Sequence, residues 1–367
     1  MVSKISTRER FSSTASSKRA AAVAVACLVA FAFGPGEASS AMAQEEDAAV
    51  AVAQEEESET AEPNTDTVFP LPRPITSFGA TKIGEVIYAY GGNIDSPHEY
   101  YKGCQSGQLL KLDLSVDEPK WEVISEDEEV QGTALVAHGK SLYRVGGFTA
   151  LNPQGEEQDL HSLDSVKRFD TATGKWEALP SLPMGRSSHD AYVIGDQLYV
   201  VGGWDMNGDD KTIWHDTALV CDLSEDELKW EELPAPGFER RAIALSQEGE
   251  CLVVAGGMTS DEETTTAVSF YDPQAKAWKD GPKVPGKPLD GFGAAAGTLD
   301  GKTYVSMMNG KTYCLADDKE SWELVDETTA GRFFHRILPV GERLISIGGT
   351  SMQTGKYEAC DWIEIKE

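Results

Sequence analysis

The chain has 367 residues, 40% of them hydrophobic, and sets 61 acidic against 32 basic side chains, a formal net charge of −29 at pH 7. A field of that sign repels the phosphates of nucleic acids and of anionic membranes, which excludes a nucleic-acid-binding role and favours cationic partners. Nowhere does the chain run to the ~20 consecutive apolar residues that a membrane-spanning helix needs.

The N-terminus comes first in chain order. Lys4, Arg8, Arg10, Lys18 and Arg19 form a positive leader, Ala20 to Phe33 is an apolar run of 14 residues, and Ala41-Met42-Ala43 places small residues around a cut before Gln44. That order is the pattern of a secretory signal peptide. Residues 1–43 are therefore expected to be removed and the protein to be exported, to a periplasm or the exterior. Loss of five basic and two acidic residues leaves 27 against 59, a net charge of −32. Residues 44–66 are acidic, low in complexity and free of aromatics, which reads as a disordered linker. The globular part is expected over residues 67–367. Its five cysteines (Cys104, Cys221, Cys251, Cys314 and Cys360) are odd in number and widely spaced, unlike a compact disulfide framework. Four of them fall in predicted strands, where a buried free thiol acts as a small apolar residue.

From residue 84 onwards one short pattern recurs: a glycine and a polar residue, an apolar run, then a glycine pair. It runs from Gly84 to Gly91-Gly92, Gly139 to Gly146-Gly147, Gly195 to Gly202-Gly203, Gly249 to Gly256-Gly257 and Gly341 to Gly348-Gly349, seven residues each time to the first paired glycine. A degenerate copy leads from Gly301 to Met308-Asn309. The six turn glycines stand 55, 56, 54, 52 and 40 residues apart. Apolar, β-prone residues flank each turn glycine, as in Ala191 to Ile194 and Leu198 to Val201, and glycine accepts the positive φ of a tight hairpin. Two further strands follow in a full copy, such as Val166 to Asp170 and Trp176 to Pro180, giving four antiparallel strands a to d.

GKSLYRVGG with SVKRFDTATGKWEALPSLP, and GDQLYVVGG with LVCDLSEDELKWEELPAP, resemble kelch repeats over residues 67–367. The markers are the glycine pair closing strand b, the apolar-Asp end of strand c and the tryptophan opening strand d: Trp121, Trp176, Trp230, Trp278 and Trp322. The resemblance implies an all-β fold, a six-bladed kelch β-propeller with four antiparallel strands per blade. Physical reasoning agrees, because a lone four-stranded sheet cannot hide both its apolar faces, whereas sheets packed in a circle can. The last copy ends after strand c, and Val68-Phe69-Pro70-Leu71-Pro72 matches the Leu-Pro of Trp176 to Pro180. An N-terminal strand is thus expected to complete the last blade, with Val68 in the tryptophan position.

In such a propeller the d–a connections and b–c loops share one face, and the b–c loops of copies one to three are long, about residues 93–107, 148–165 and 204–217. Binding usually resides on loops of this kind. Candidates ahead of strand a are Arg186, Ser188 and His189, then Arg240 and Arg241, then Arg332, His335 and Arg336. The resemblance implies that Arg186, Arg240 and Arg332 line the channel mouth. Two roles are open for them: a positive spot for a carboxylate or acidic peptide, or pairing with neighbouring acids that fixes the loops. Trp204 and Trp214 lie outside the repeating tryptophan position, and either suit a sugar or peptide or pack the loops.

His98, His161, His189, His215 and His335 map to the same face as Tyr100, Tyr101 and Cys104. Similar propellers include galactose oxidase, a copper enzyme with two histidines, two tyrosines and a modified cysteine, but the spacing here does not reproduce its motif. Asp205-x-Asn207-x-Asp209 lacks the glycine and later acid of a calcium loop and reads as a solvated turn. No catalytic triad, phosphate loop or zinc motif stands out, so no catalytic residue, metal or other cofactor is expected. The leading expectation is a monomeric binding propeller for an unidentified protein, peptide or glycan. The alternative is a periplasmic sugar-active enzyme resembling the N-acetylneuraminate epimerases, using Arg186, Arg240, Arg332 and Asp290.

Overall fold

A computed structural model describes residues 68–96, 99–327, 330–352 and 355–365; the expected signal peptide and linker lie outside the described residues. Blade one comprises Gly79–Ile83, Val86–Tyr90, Gln108–Asp113 and Trp121–Glu126, and blade two Ala134–His138, Ser141–Val145, Val166–Asp170 and Lys175–Leu179. Blade three comprises Asp190–Ile194, Gln197–Val201, Ala218–Asp222 and Glu231–Glu232, and blade four Ala244–Glu248, Cys251–Ala255, Val268–Asp272 and Ala277–Gly281. Blade five comprises Ala295–Leu299, Lys302–Ser306, Thr312–Leu315 and Trp322–Asp326, and blade six Arg336–Val340, Arg343–Ile347 and Cys360–Ile363. The strands pair antiparallel in the order a, b, c, d in blades one to five and a, b, c in blade six, where Val68 bridges Cys360 on the outer side. Among the described residues there is no α-helix, only a 3-10 turn at Pro288–Gly291. The fold is a six-bladed β-propeller, as the sequence implies.

Six hydrophobic clusters form the core, and each spans the seam between neighbouring blades. The seam between blades six and one unites Ile345, Ile347 and Cys360 with Leu71, Phe78, Ile87 and Trp121, so the ring is shut. The glycine pairs make that packing possible. A Cβ on the first glycine would fall 2.6, 2.3, 2.4, 2.3 and 2.9 Å from a carbonyl of the following blade: Val130, Arg186, Arg240, Gly291 and Ile75. The second glycine's N–H donates to that same oxygen at 2.7–2.8 Å in all five. A side chain here would push two blades apart, and glycine alone allows the contact.

Two expectations are corrected. Blade five turns on Asp300-Gly301, with Leu299 paired to Lys302, so its turn begins one residue before Gly301. The slots of the glycine pair therefore fall on Met307-Met308, not Met308-Asn309. Met307 N–H donates to Lys311 O as Gly146, Gly256 and Gly348 donate to Ser165 O, Ala267 O and Ala359 O just ahead of strand c, while Met308 N–H turns to Asp290 O of its own blade.

The closing segment is also shifted. Val68 bridges Cys360, and Val68 N–H donates to Cys360 O at 2.8 Å, the place of Leu179 opposite Val166 in blade two. Leu71 N–H donates to Glu358 O as Leu182 N–H donates to Asp164 O. Val68 thus lies three residues beyond the tryptophan position. Blade two carries Leu-Pro at both Leu179 and Leu182, and burial of Leu71 selects the second match. The blade-one tryptophan confirms the register: Trp121 Nε1 donates to Phe69 O, as Trp230 does to Pro180 O, Trp278 to Pro234 O and Trp322 to Pro282 O.

Candidate functional site

The floor of the loop face is a closed circle of backbone. Ser77, Gly132, Ser188, Ala242, Gly293 and Phe334 all adopt left-handed φ between 51° and 61°. Each stands seven residues before its blade's turn. Gly132 N–H donates to Ser77 O, Ser188 to Gly132, Ala242 to Ser188, Gly293 to Ala242, Phe334 to Gly293 and Ser77 to Phe334, at 2.7–3.2 Å. Sequence reasoning missed this circle, because only Gly132 and Gly293 advertise a positive φ and the others rely on the circle to hold them. Ser188, a candidate, is a link in it.

The arginines ahead of strand a turn inward. Arg186, Arg240 and Arg332 are buried, and each sends Nη1 to the first paired glycine of its own blade, 16 residues on: Gly202 O, Gly256 O and Gly348 O at 2.8, 3.1 and 3.1 Å. Their remaining donors hold the start of strand c: Thr217 O and Oγ1, Ala267 O and Ser269 Oγ, and Ala359 O with the Asp361 carboxylate. Burial pulls Arg186 and Arg240 down to about 10, which leaves both charged at neutral pH. Blade two has Val130 at that position, and Arg144 in strand b supplies the contact instead, reaching Gly146 O at 2.9 Å and Ser165 Oγ at 2.9 Å with Glu128 as its counter-ion. These guanidinium groups hold strands b and c together and do not form a positive mouth. Asp290 accepts from Lys287 N–H and Asn309 Nδ2, apart from them.

Arg336 acts differently. Its Nη1 donates to Asp190 Oδ1 at 2.9 Å, joining blades six and three across the axis, and its Nε donates to Phe78 O of blade one. Asp190 Oδ2 accepts Leu245 N–H of blade four. This brace lies two residues along the chain from the backbone circle and ties three blades together. Sequence reasoning named Arg336 but not Asp190, whose strand-end position looks like any other.

His189 and His335 fill the wedge slot held by Phe78, Thr133 and Ile243 in other blades, each with its Cβ region against the second paired glycine of its own blade. His189 is fully enclosed and has no well-formed hydrogen bond, only an interaction with the Val145 backbone. His335 Nε2 meets Ser306 Oγ at 3.0 Å. Burial first, then nearby arginines, hold both well below the ordinary imidazole range. His215 is lowered to about 4 by burial and Arg186, with Nε2 2.8 Å from Gly185 O. Trp204 stacks on Arg241, whose guanidinium carbon lies 4.0 Å from that ring and 5.5 Å from both Trp214 and Phe292. The two loop tryptophans therefore face an internal cation.

Above this floor the loops interlock. Lys356 of blade six contacts Asn93 and Asp95 of blade one. Gln105 accepts Ala150 N–H, and Asn152 donates to Tyr100 O. His161 of blade two meets Asn207 of blade three at 3.0 Å, while Ser162 N–H donates to Met206 O. The wall thus runs from blade six through one and two to three, one blade further than the loop lengths imply. His98 lies outside the described residues. The five cysteines among the described residues are free. Among the described residues no group of three metal-ligating side chains converges.

Blades, glycine pairs and seams define a kelch-type propeller. A kelch-repeat profile, the KLHDC2/KLHL20/DRC7 Kelch-repeats domain, matches residues 78–307, and the chain belongs to this family. It is 29% identical over 197 residues to Kelch repeat and BTB domain-containing protein 12 of Danio rerio, covering 50% of this chain and 31% of that protein. It is also 29% identical over 233 residues to N-(sulfonatooxy)prop-2-enimidothioate sulfolyase of Thlaspi arvense, covering 57% of this chain and 62% of that one. The chain spans less than two thirds of the length of either. The solved structure of YjhT shares the fold, with a TM-score of 0.66 at 17% identity over 81% of this chain and 97% of that one.

Proposed function

We propose that the protein is an exported, non-catalytic binding module that presents the loop face of its propeller to a protein or peptide partner. The observation that carries this reading is the hydrogen-bonded wall formed by the loops of blades six, one, two and three. Loops already ordered by one another lose little conformational freedom on docking, which favours affinity. Kelch propellers generally bind proteins, in keeping with the family. A sugar platform finds less support, since Trp204 and Trp214 face Arg241, and acid–base chemistry by Arg186, Arg240 and Arg332 finds less still, since their donors hold backbone. Export rests on the leader over residues 1–43, and no described helix is long and apolar enough to cross a membrane.

Photo-crosslinking side chains placed at Leu151 and at Glu250 test the face. Partner capture from position 151 and none from position 250, on the opposite turns, is expected; the reverse, or equal capture, overturns the reading. N-terminal sequencing of the secreted chain tests export, with Gln44 expected first and a retained leader counting against it.

A further inference from the structure

Resting on that reading of the loop face, we propose that the region of the partner that docks is a basic segment carrying aliphatic or aromatic side chains, seated on the crest formed by the loops of blades two and three. Three large aliphatic residues stand out of this crest: Leu151 is 51% exposed, Ile213 49% and Met184 44%. They stand on segments that are bonded to one another. Ile213 pairs with Asp205 across the blade-three hairpin, and Asp205 Oδ1 lies 2.5 Å from where a Cβ of Gly185, the neighbour of Met184, would sit. Leu151 N–H donates to Asp159 O, and the strand that follows is bonded to Met206 and Gly208 of the blade-three loop. Exposed aliphatics gathered on a rigid surface mark an interaction site.

Charge decides what kind of partner fits. Glu156, Glu157 and Asp164 share the loop of Leu151, and Asp205, Asp209 and Asp216 share that of Ile213; among the described residues none of the six joins an ion pair. Residues 148–165 contain no lysine or arginine and residues 204–217 only Lys211. The basic side chains of the strands and turns, by contrast, meet acids, as in Lys111–Asp113, Arg168–Glu177, Lys302–Asp317 and Arg343–Glu364. Arg186, turned inward, offsets Asp205 and Asp216 only in part. Asp205 carries the consequence: burial, then the Asp164 carboxylate, raises it above the ordinary range, with only partial relief from Arg186. An arriving guanidinium or ammonium removes that repulsion, and an apolar side chain beside it covers the aliphatics. Complementary charge of this kind steers association and selects against acidic partners.

The probes are synthetic peptides alternating arginine with leucine, arginine with serine, and glutamate with leucine, followed by fluorescence anisotropy. The arginine–leucine peptide is expected to bind about tenfold more tightly than the arginine–serine one, from burial of one or two side chains. The glutamate–leucine peptide is expected not to bind. Asp164→Asn with Asp205→Asn should weaken the arginine–leucine complex at least roughly threefold, in line with surface ion pairs. Leu151→Ser with Ile213→Ser should erase the preference for leucine over serine. Glu250→Gln with Glu342→Gln, on the opposite face, should change nothing. Amide shifts on titration, expected in the two crest loops, serve as a second measurement if a variant folds poorly. Equal affinity for the two arginine peptides, or binding untouched by both crest variants, overturns the proposal. If the peptides fail while crosslinks still form from position 151, the basic partner falls and the docking face stands; if crosslinks fail too, both fall.

Discussion

His189 and His335 occupy slots that other blades fill with Phe78, Thr133 and Ile243, so an imidazole there gains packing but leaves both nitrogens of His189 and Nδ1 of His335 buried without a well-formed hydrogen bond. A buried polar group without a partner costs roughly 1–3 kcal/mol. His189→Phe is therefore expected to raise the stability of the propeller by about that amount, read by urea denaturation. The same site sets a pH dependence. Because the folded state holds His189, His335 and His215 below the ordinary value of 6.5, the unfolded chain binds more protons in that window. Stability from these groups is thus full above about pH 6.5 and lost as pH falls, at up to ~1.4 kcal/mol per pH unit for each. Melting curves from pH 7.5 to 4.5 should show the decline, and His189→Phe should make it shallower. An unchanged slope would show that His189 is already protonated in the fold. Arg186→Lys belongs to the same scale: a single ammonium cannot reproduce the fork that reaches Gly202 O and Thr217 together, and a loss of about 2 kcal/mol is expected in the same assay.

At the scale of the blade, two kinds of glycine do different work. Gly195 opens its turn at φ 60° with nothing within 4 Å of where a methyl would sit, so only backbone conformation constrains it. Gly203 has φ 87°, and a methyl would lie 2.5 Å from Ser187 O and 2.8 Å from His189 Cβ. Gly195→Asn should cost under about 1 kcal/mol, since asparagine tolerates the left-handed region. Gly203→Ala combines strain with a clash against backbone, and a loss of about 3 kcal/mol or more is expected. Similar midpoints for the two variants in guanidinium titrations would refute the distinction. The element scale also shows which parts of the pattern were visible beforehand. Turn glycines, paired glycines and the strand-d tryptophans are local signals at regular spacing, and all mark what the structure contains. Blade five departs by one residue because its turn uses glycine second, after Asp300, and a spacing rule anchored on glycine slips there.

At the scale of the molecule, closure rests on a short stretch of chain. Val68 and Leu71 hydrogen-bond to Cys360 and Glu358, Phe69 O accepts the Trp121 indole N–H, and Leu71 is buried in the seam of blades six and one. Deleting residues 68–72 removes these contacts at a cost of about 5 kcal/mol and should broaden and lower the calorimetric transition. A transition as sharp and as high as that of the full chain would mean that the backbone circle and the Arg336–Asp190 brace close the ring unaided. The site shows a matching division. The long loops were legible from their lengths, and Arg186, Arg240 and Arg332 do lie ahead of strand a, but the direction in which each of these arginines points depends on carbonyls 16 residues away that only the folded blade presents.

The amino-acid order alone determined six four-stranded repeats, the face that carries the long loops and an acidic overall field, because turns, alternation and charge are properties of near neighbours along the chain. Only the tertiary structure decided that Arg186, Arg240 and Arg332 serve the blades, that Arg144 replaces one of them, that Val68 sits three places along, and that the exposed crest is left negative. Each of those outcomes depends on which distant atoms share a seam, and side chains take their partners from the seam.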